Sequence, residues 1–157
     1  MKKICCALLS LLTAALLLTG CQEEPKDVTI DVAALADALK AAVPFSDELA
    51  EPNDAALLNF YNIDETDIAA KKVYVSSGAT AEEIAVFEGT DEAAAGRIKT
   101  AVDERIADQK SAFEDYNPEE QKKLNDPVIV TTGKYVILCV SDDNDAAEKC
   151  IDEYTKG

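Results

Sequence analysis

The hydrophobic period of this chain changes from that of strands to that of a helix and back again, and that order limits the folds it can adopt. Val73-Tyr74-Val75 and Glu83-Ile84-Ala85-Val86-Phe87 are rich in β-branched and aromatic residues. They flank the turn-forming Ser76-Ser77-Gly78-Ala79-Thr80, so a hairpin is predicted there. A second hairpin is predicted from Val128-Ile129-Val130-Thr131 and Tyr135-Val136-Ile137-Leu138-Cys139-Val140, joined at Thr132-Gly133-Lys134. Between the two, residues 91–116 contain no helix breaker but Gly96, and Ile98, Ala101, Val102, Ile106 and Phe113 fall along one side. That stripe is narrow and poor in leucine, which suits a helix lying flat on a sheet, and Asn117-Pro118 ends it.

Two shorter helices precede the first hairpin. Asp31 is placed to cap a helix carrying Val32, Leu35, Leu39 and Val43, which Pro44 stops; Asn53 is placed to cap another that presents Leu57, Leu58 and Tyr61 before the turn at Asn62-Ile63-Asp64. A last helix carries Ala147, Cys150, Ile151 and Tyr154 on one face. Helix, helix, hairpin, helix, hairpin, helix is an α+β order. It predicts an antiparallel sheet of two hairpins, about four strands, packed with a long helix, a C-terminal helix and two short N-terminal helices. The final strand is apolar on both alternating faces, so helices are expected to cover both sides of the sheet.

Ahead of this pattern, Met1-Lys2-Lys3 is followed by a run from Ile4 to Leu18 almost free of polar side chains. A charged start and a short apolar run have the form of a secretory signal, and the run falls short of the roughly 20 apolar residues of a spanning helix. Leu18-Thr19-Gly20-Cys21 resembles the lipobox of bacterial lipoproteins. The resemblance implies cleavage between Gly20 and Cys21, lipid on the Cys21 thiol, and residence at the extracytoplasmic face of the cell membrane. Each buried CH₂ contributes only about 0.8 kcal/mol, so stable attachment needs more than one acyl chain, which diacylglyceryl-Cys21 would supply. The expected organisation is a signal peptide over residues 1–20, a lipidated cysteine and short tether over residues 21–30, and one α+β domain over residues 31–157.

The charge balance narrows the partners. Fifteen Lys+Arg stand against 31 Asp+Glu, a formal charge of −16; without Lys2 and Lys3 the balance is 13 against 31, or −18. Such a surface repels nucleic acid, which requires a basic face, and favours cations, basic proteins or neutral small molecules.

The domain itself carries a second resemblance. Leu57-Leu58-Asn59-Phe60-Tyr61-Asn62-Ile63-Asp64, Ala81-Glu82-Glu83-Ile84-Ala85-Val86 and Gly133-Lys134-Tyr135-Val136-Ile137-Leu138, with the long helix between the last two, resemble the family described as domain of unknown function 4358 (DUF4358). The resemblance runs from about Leu35 onward. It implies a lipoprotein on the outer leaflet of a single membrane and supplies no catalytic residues.

Chemistry is constrained mostly by what is missing. The chain has no histidine and no tryptophan, and its 6 glycines include no phosphate-cradling spacing. No catalytic residue and no cofactor is assigned. A carboxylate-based hydrolase would have to draw on acids such as Glu82 and Glu83, which are expected instead at the exposed beginning of a strand. Asp142, Asp143, Asn144 and Asp145 are candidate ligands for a divalent cation, but Ala146 and Ala147 stand where an EF-hand needs a ligand and a glycine, so helix capping is the preferred role. Cys139 and Cys150 fall at similar depth on the last strand and last helix, close enough for a disulfide, although both lie in apolar runs that suit free buried thiols. Tyr61, Tyr74, Tyr116 and Tyr135 are candidates to line a ligand groove, but aromatics in strands and at helix ends are usually core or rim, and that placement is expected. The reading is a membrane-anchored, non-enzymatic binding or accessory module for a protein partner or small ligand. The alternative is a lipoprotein that binds divalent cations or small solutes.

Overall fold

The computed structural model describes residues 29–156; the signal peptide, the cleavage pair Gly20 and Cys21 and most of the tether lie outside them. Both hairpins form. β1 (Ile68–Val75) pairs with β2 (Glu83–Gly89), and β3 (Val128–Thr132) pairs with β4 (Tyr135–Val140). The strand order is β1-β2-β4-β3, antiparallel throughout, so the two hairpins join through their second strands, with Ala85 opposite Leu138 and Phe87 opposite Val136. The turn between β3 and β4 has Gly133 at a φ of 51° in its first central position, the residue a two-residue II′ turn requires there.

Every residue of β4 is buried, and helices cover both faces of the sheet as its composition predicts. On one face α1 (Val32–Ala42) and α5 (Asn144–Thr155) pack over Ile84, Val86, Ile137 and Cys139. On the other, α2 (Asp54–Tyr61) and α3 (Glu92–Tyr116) pack over Ala85, Phe87, Val136 and Leu138. The segregation follows from the alternation of side chains along each strand. Asp31, Asn53, Asp91 and Asp143 cap these four helices, accepting from the backbone N–H groups of Ala34, Ala56, Ala94 and Ala146 at 2.7–3.0 Å. Each such cap contributes about 1 kcal/mol. Asn62 ends α2 in the left-handed conformation at φ 50°, which asparagine tolerates better than most residues.

Two elements differ from the sequence reading. β1 begins at Ile68 rather than Val73, because Ala70-Lys71-Lys72 lacks strand-like composition and a register shift between Ile68 and Ala70 breaks its alternation. After α3, a 3-10 turn over Pro118–Glu120 leads into an additional short helix, α4 (Gln121–Asn125). Five residues are too few to display a period, and the main local signal is Pro118 at the first position of the 3-10 turn that precedes α4. No helix among the described residues is long and apolar enough to cross a membrane.

β2 reaches α3 through a tight junction at Gly89. A Cβ there would sit 2.7 Å from the Ala95 nitrogen and 2.9 Å from the Asp91 carbonyl oxygen, both backbone atoms that cannot step aside. Gly96, one turn later, has open space around it. Gly89→Ala should therefore destabilise the domain by about 2–3 kcal/mol, whereas Gly96→Ala should stabilise it by about 0.5–1 kcal/mol. Urea midpoints at unchanged m-value are the measurement; midpoints moving in the same direction would contradict this account of the junction.

Candidate functional site

Glu82 and Glu83 are not at an exposed strand beginning. They are 1% and 2% accessible, and they project to opposite faces of the sheet. An unpaired buried carboxylate is costly, so each face must supply its own donors. They come from segments distant in sequence.

Glu82 accepts from the backbone N–H groups of Ser46 and Asp47 at 2.9–3.0 Å and from the Lys123 ammonium at 3.0 Å. Lys123, on α4, is itself 6% accessible and also reaches Glu120 at 3.1 Å and Asp142 at 3.3 Å. Glu120 in turn accepts from the Ala81 N–H at 2.9 Å. One ammonium thus joins α4, the start of β2, the segment after α1 and the β4–α5 connection. Burial would raise the Glu82 carboxyl, but the Ser46 and Asp47 N–H groups and Lys123 outweigh it and hold the carboxyl below its ordinary value. Burial would likewise lower the Lys123 ammonium, and Glu82 and Glu120 raise it instead. Both members remain charged.

Glu83 faces α3. Arg105 donates to it in a fork, Nη2 at 2.9 Å and Nε at 3.2 Å to the same oxygen, and Gln109 Nε2 adds a contact at 3.3 Å. The Tyr61 hydroxyl donates to the other carboxylate oxygen. Burial, followed by the Glu83 charge, pushes the Tyr61 phenol well above its usual value, so it keeps the proton that it donates to Glu83. The Arg105 guanidinium also lies 4.8 Å from the centre of the Phe60 ring.

Above this pair runs a groove of about 330 Å³ between the second half of α3 and the β1–β2 turn. Glu83, Arg105 and Gln109 line its polar part; Phe60, Phe113 and Tyr116 line its apolar part. Tyr116 is 70% accessible, the one large hydrophobic side chain so exposed among the described residues, and its ring lies 5.9 Å from that of Phe113. A concave apolar surface with a few fixed polar groups is the usual character of a binding site.

The acidic run at the start of α5 is spent on structure. Asp143 is the N-cap, Asp142 pairs with Lys123, and Asn144 Nδ2 donates to the Asp126 carbonyl at 2.7 Å. Asp145 lies in the first turn, favourable for the helix dipole. Among the described residues no group of three or more His, Cys, Asp or Glu side chains is placed to hold a metal ion. Cys139 and Cys150 belong to the same core cluster beneath α1 and α5, and both are free, buried thiols rather than a disulfide. Burial pushes the Cys139 thiol up to about 12 and raises that of Cys150. Tyr61 and Tyr135 are core residues and Tyr74 is half-buried, its hydroxyl donating to Asp37; Tyr116 departs from the expected core or rim position, because it sits at the exposed last turn of α3 and lines the groove.

Arg105, Gln109, Lys123 and Phe60 do not stand out in the sequence. Their signal is indirect: two adjacent glutamates abut the apolar Ile84-Ala85-Val86-Phe87, and a buried strand that begins in acids requires cations from elsewhere.

A family model described as domain of unknown function (DUF4358) matches residues 41–141, more than half of the chain. The match takes in both buried glutamates, Lys123, Arg105 and the whole groove. No curated protein and no solved structure matches the chain.

Lys123→Met should cost about 3–5 kcal/mol, because it leaves Glu82 and Glu120 buried without their cation. Glu82, held low in the folded state, contributes stability that is complete above its unfolded value of 4.5 and is lost as pH falls through the folded value. Acid titration of unfolding free energy should therefore fall less steeply below pH 4.5 in Glu82→Gln than in the parent protein; parallel curves would refute the assignment. Alkylation of the unreduced, denatured protein followed by peptide mass analysis should label both Cys139 and Cys150, and a recovered bridged pair would contradict the free-thiol state.

Proposed function

The chain belongs to the DUF4358 family, and on that footing we propose that its domain is a non-enzymatic binding or accessory module, held at the extracytoplasmic face of the cell membrane by lipid on Cys21. The observation that carries the reading is the groove at Tyr116. A tyrosine ring left 70% accessible beside Phe113 and Phe60 offers a large, rigid contact surface at little entropic cost.

The surroundings of the buried acids favour binding over hydrolysis. A general acid needs a carboxyl whose proton is retained near neutrality, which isolation in an apolar site provides. Glu82 is held in the opposite direction, and Glu83 is saturated by Arg105, Tyr61 and Gln109. They point to opposite faces of the sheet at the start of β2, so they do not face each other across a substrate. The alternative of a divalent-cation or small-solute binding lipoprotein draws on the acidic run from Asp142 to Asp145, whose members serve as cap, ion-pair partner and hydrogen-bond donor within the fold.

Between Cys21 and the start of α1 the chain has only a short tether, which would keep the groove close to the bilayer and to proteins within it. Cross-linking and pull-down from native membranes, with the parent protein, Cys21→Ser and Tyr116→Ala, tests this reading. A stoichiometric partner is expected with the parent and is lost with Cys21→Ser. Tyr116→Ala should weaken that capture by about tenfold or more. Capture unchanged in Tyr116→Ala would remove the groove from the proposal, and a melting shift with Ca²⁺ but not with Na⁺ at equal ionic strength would favour the cation-binding alternative.

A further inference from the structure

The two edges of the sheet are treated differently. The β1 edge is closed at one end by backbone bonds between Ala50 and Val75 in both directions at 2.9 Å, and it carries Lys71 and Lys72, paired with Asp54 and Glu51. Charged edge residues and a covering segment are the devices that prevent unwanted strand addition. β3, the opposite edge, reads Val128-Ile129-Val130-Thr131-Thr132 and has neither charge nor proline.

The hairpin register fixes which β3 groups face outward. Thr132, Val130 and Val128 pair with Tyr135, Ile137 and Cys139, and the two-residue turn makes the closing Thr132–Tyr135 pair a hydrogen-bonded one. Alternation then turns the N–H and C=O groups of Ile129 and Thr131 to the open side. Beside that edge, between β3 and α5, runs a groove of about 490 Å³. Asp126, Asp145, Glu148 and Asp152 line it against a single cation, Lys156, which is already paired with Asp152 at 2.7 Å. Asn144 stands at the same wall, and its Oδ1 is the one buried side-chain acceptor without a donor among the described residues.

We infer that the β3 edge binds an extended, basic segment of a partner protein by strand addition, its backbone pairing with Ile129 and Thr131 and its cationic side chains meeting Asp145, Glu148 and Asp152. The charge pattern selects this occupant. A second copy of the chain would bring like charges together, and the tether residues Gln22-Glu23-Glu24-Pro25-Lys26-Asp27 carry three acids against one lysine. This surface lies on the α5 face of the sheet, opposite the Tyr116 groove, so either can fail without the other.

The test uses the purified chain and a short peptide of alternating lysine and valine, with a glutamate–valine peptide and a backbone N-methylated lysine–valine peptide as controls. The lysine–valine peptide should bind, slow amide exchange at Ile129 and Thr131 while leaving Val128 and Val130 unchanged, and exceed both controls by about tenfold or more. Glu148→Lys should weaken it by about tenfold. Thr131→Pro, which removes an outward N–H at a position where an edge strand accepts proline, should abolish it without lowering the melting temperature. Tyr116→Ala should leave it unchanged. Equal binding of the N-methylated peptide would reduce the interaction to unspecific charge attraction and overturn the proposal. So would the absence of binding, or a concentration-dependent dimer that protects the same amides.

Discussion

A single buried ammonium ties together segments of this domain that are distant in sequence. Lys123 is surrounded by Glu82, Glu120 and Asp142, and through Glu82 it is coupled to the backbone after α1. Desolvating a carboxylate or an ammonium alone costs several kcal/mol, so neither Glu82 nor Lys123 is tolerable in place without the other. That mutual dependence fixes α4, an element too short to hold its position by its own helical hydrogen bonds. It also fixes the start of β2, the strand through which the two hairpins join.

The same strand start organises the opposite face. Glu83 draws Arg105 and Gln109 of α3 and the hydroxyl of Tyr61 of α2 into one network, so the angle of the long helix on the sheet is set by a charged fork as well as by apolar packing. With its middle held there, α3 carries Phe113 and Tyr116 out past the β1–β2 turn, and the aromatic groove is the space left between them. The aromatic groove is thus a consequence of a structural ion pair beneath it. The buried acids hold the fold in place, and the recognition proposed for this domain rests on exposed surfaces: an aromatic groove on one face and an uncharged strand edge under an acidic rim on the other.

Much of the architecture was legible in the residues. Asp31 and Asn53 precede helical periods and cap as expected, and the acidic run before α5 supplies its cap in Asp143; Gly133 at the second hairpin sits where a two-residue turn needs positive φ. These are local signals, in which a side chain acts on backbone within a few residues of itself. α4 and the early start of β1 were not legible, since a five-residue helix shows no period and Ala70-Lys71-Lys72 is a strand only because Phe87, Val86 and Glu88 lie opposite to pair with it. The exposed position expected for Glu82 and Glu83 failed for a related reason: a carboxylate is placed at the surface by default because burial is costly, and the default lapses when a cation comes from 22 or 41 residues away.

The sequence by itself determined the number and type of the main elements, the antiparallel α+β class, the strong net acidity and the lack of histidine, because composition, period and capping act locally and need no partner. Only the tertiary structure decided that the two hairpins join through β2 and β4, that adjacent glutamates serve opposite faces of one sheet, and that β3 rather than β1 is the open edge. Those outcomes depend on pairing between residues far apart in the chain. The strength of each pairing is set by burial, a property no residue has until the chain has folded around it.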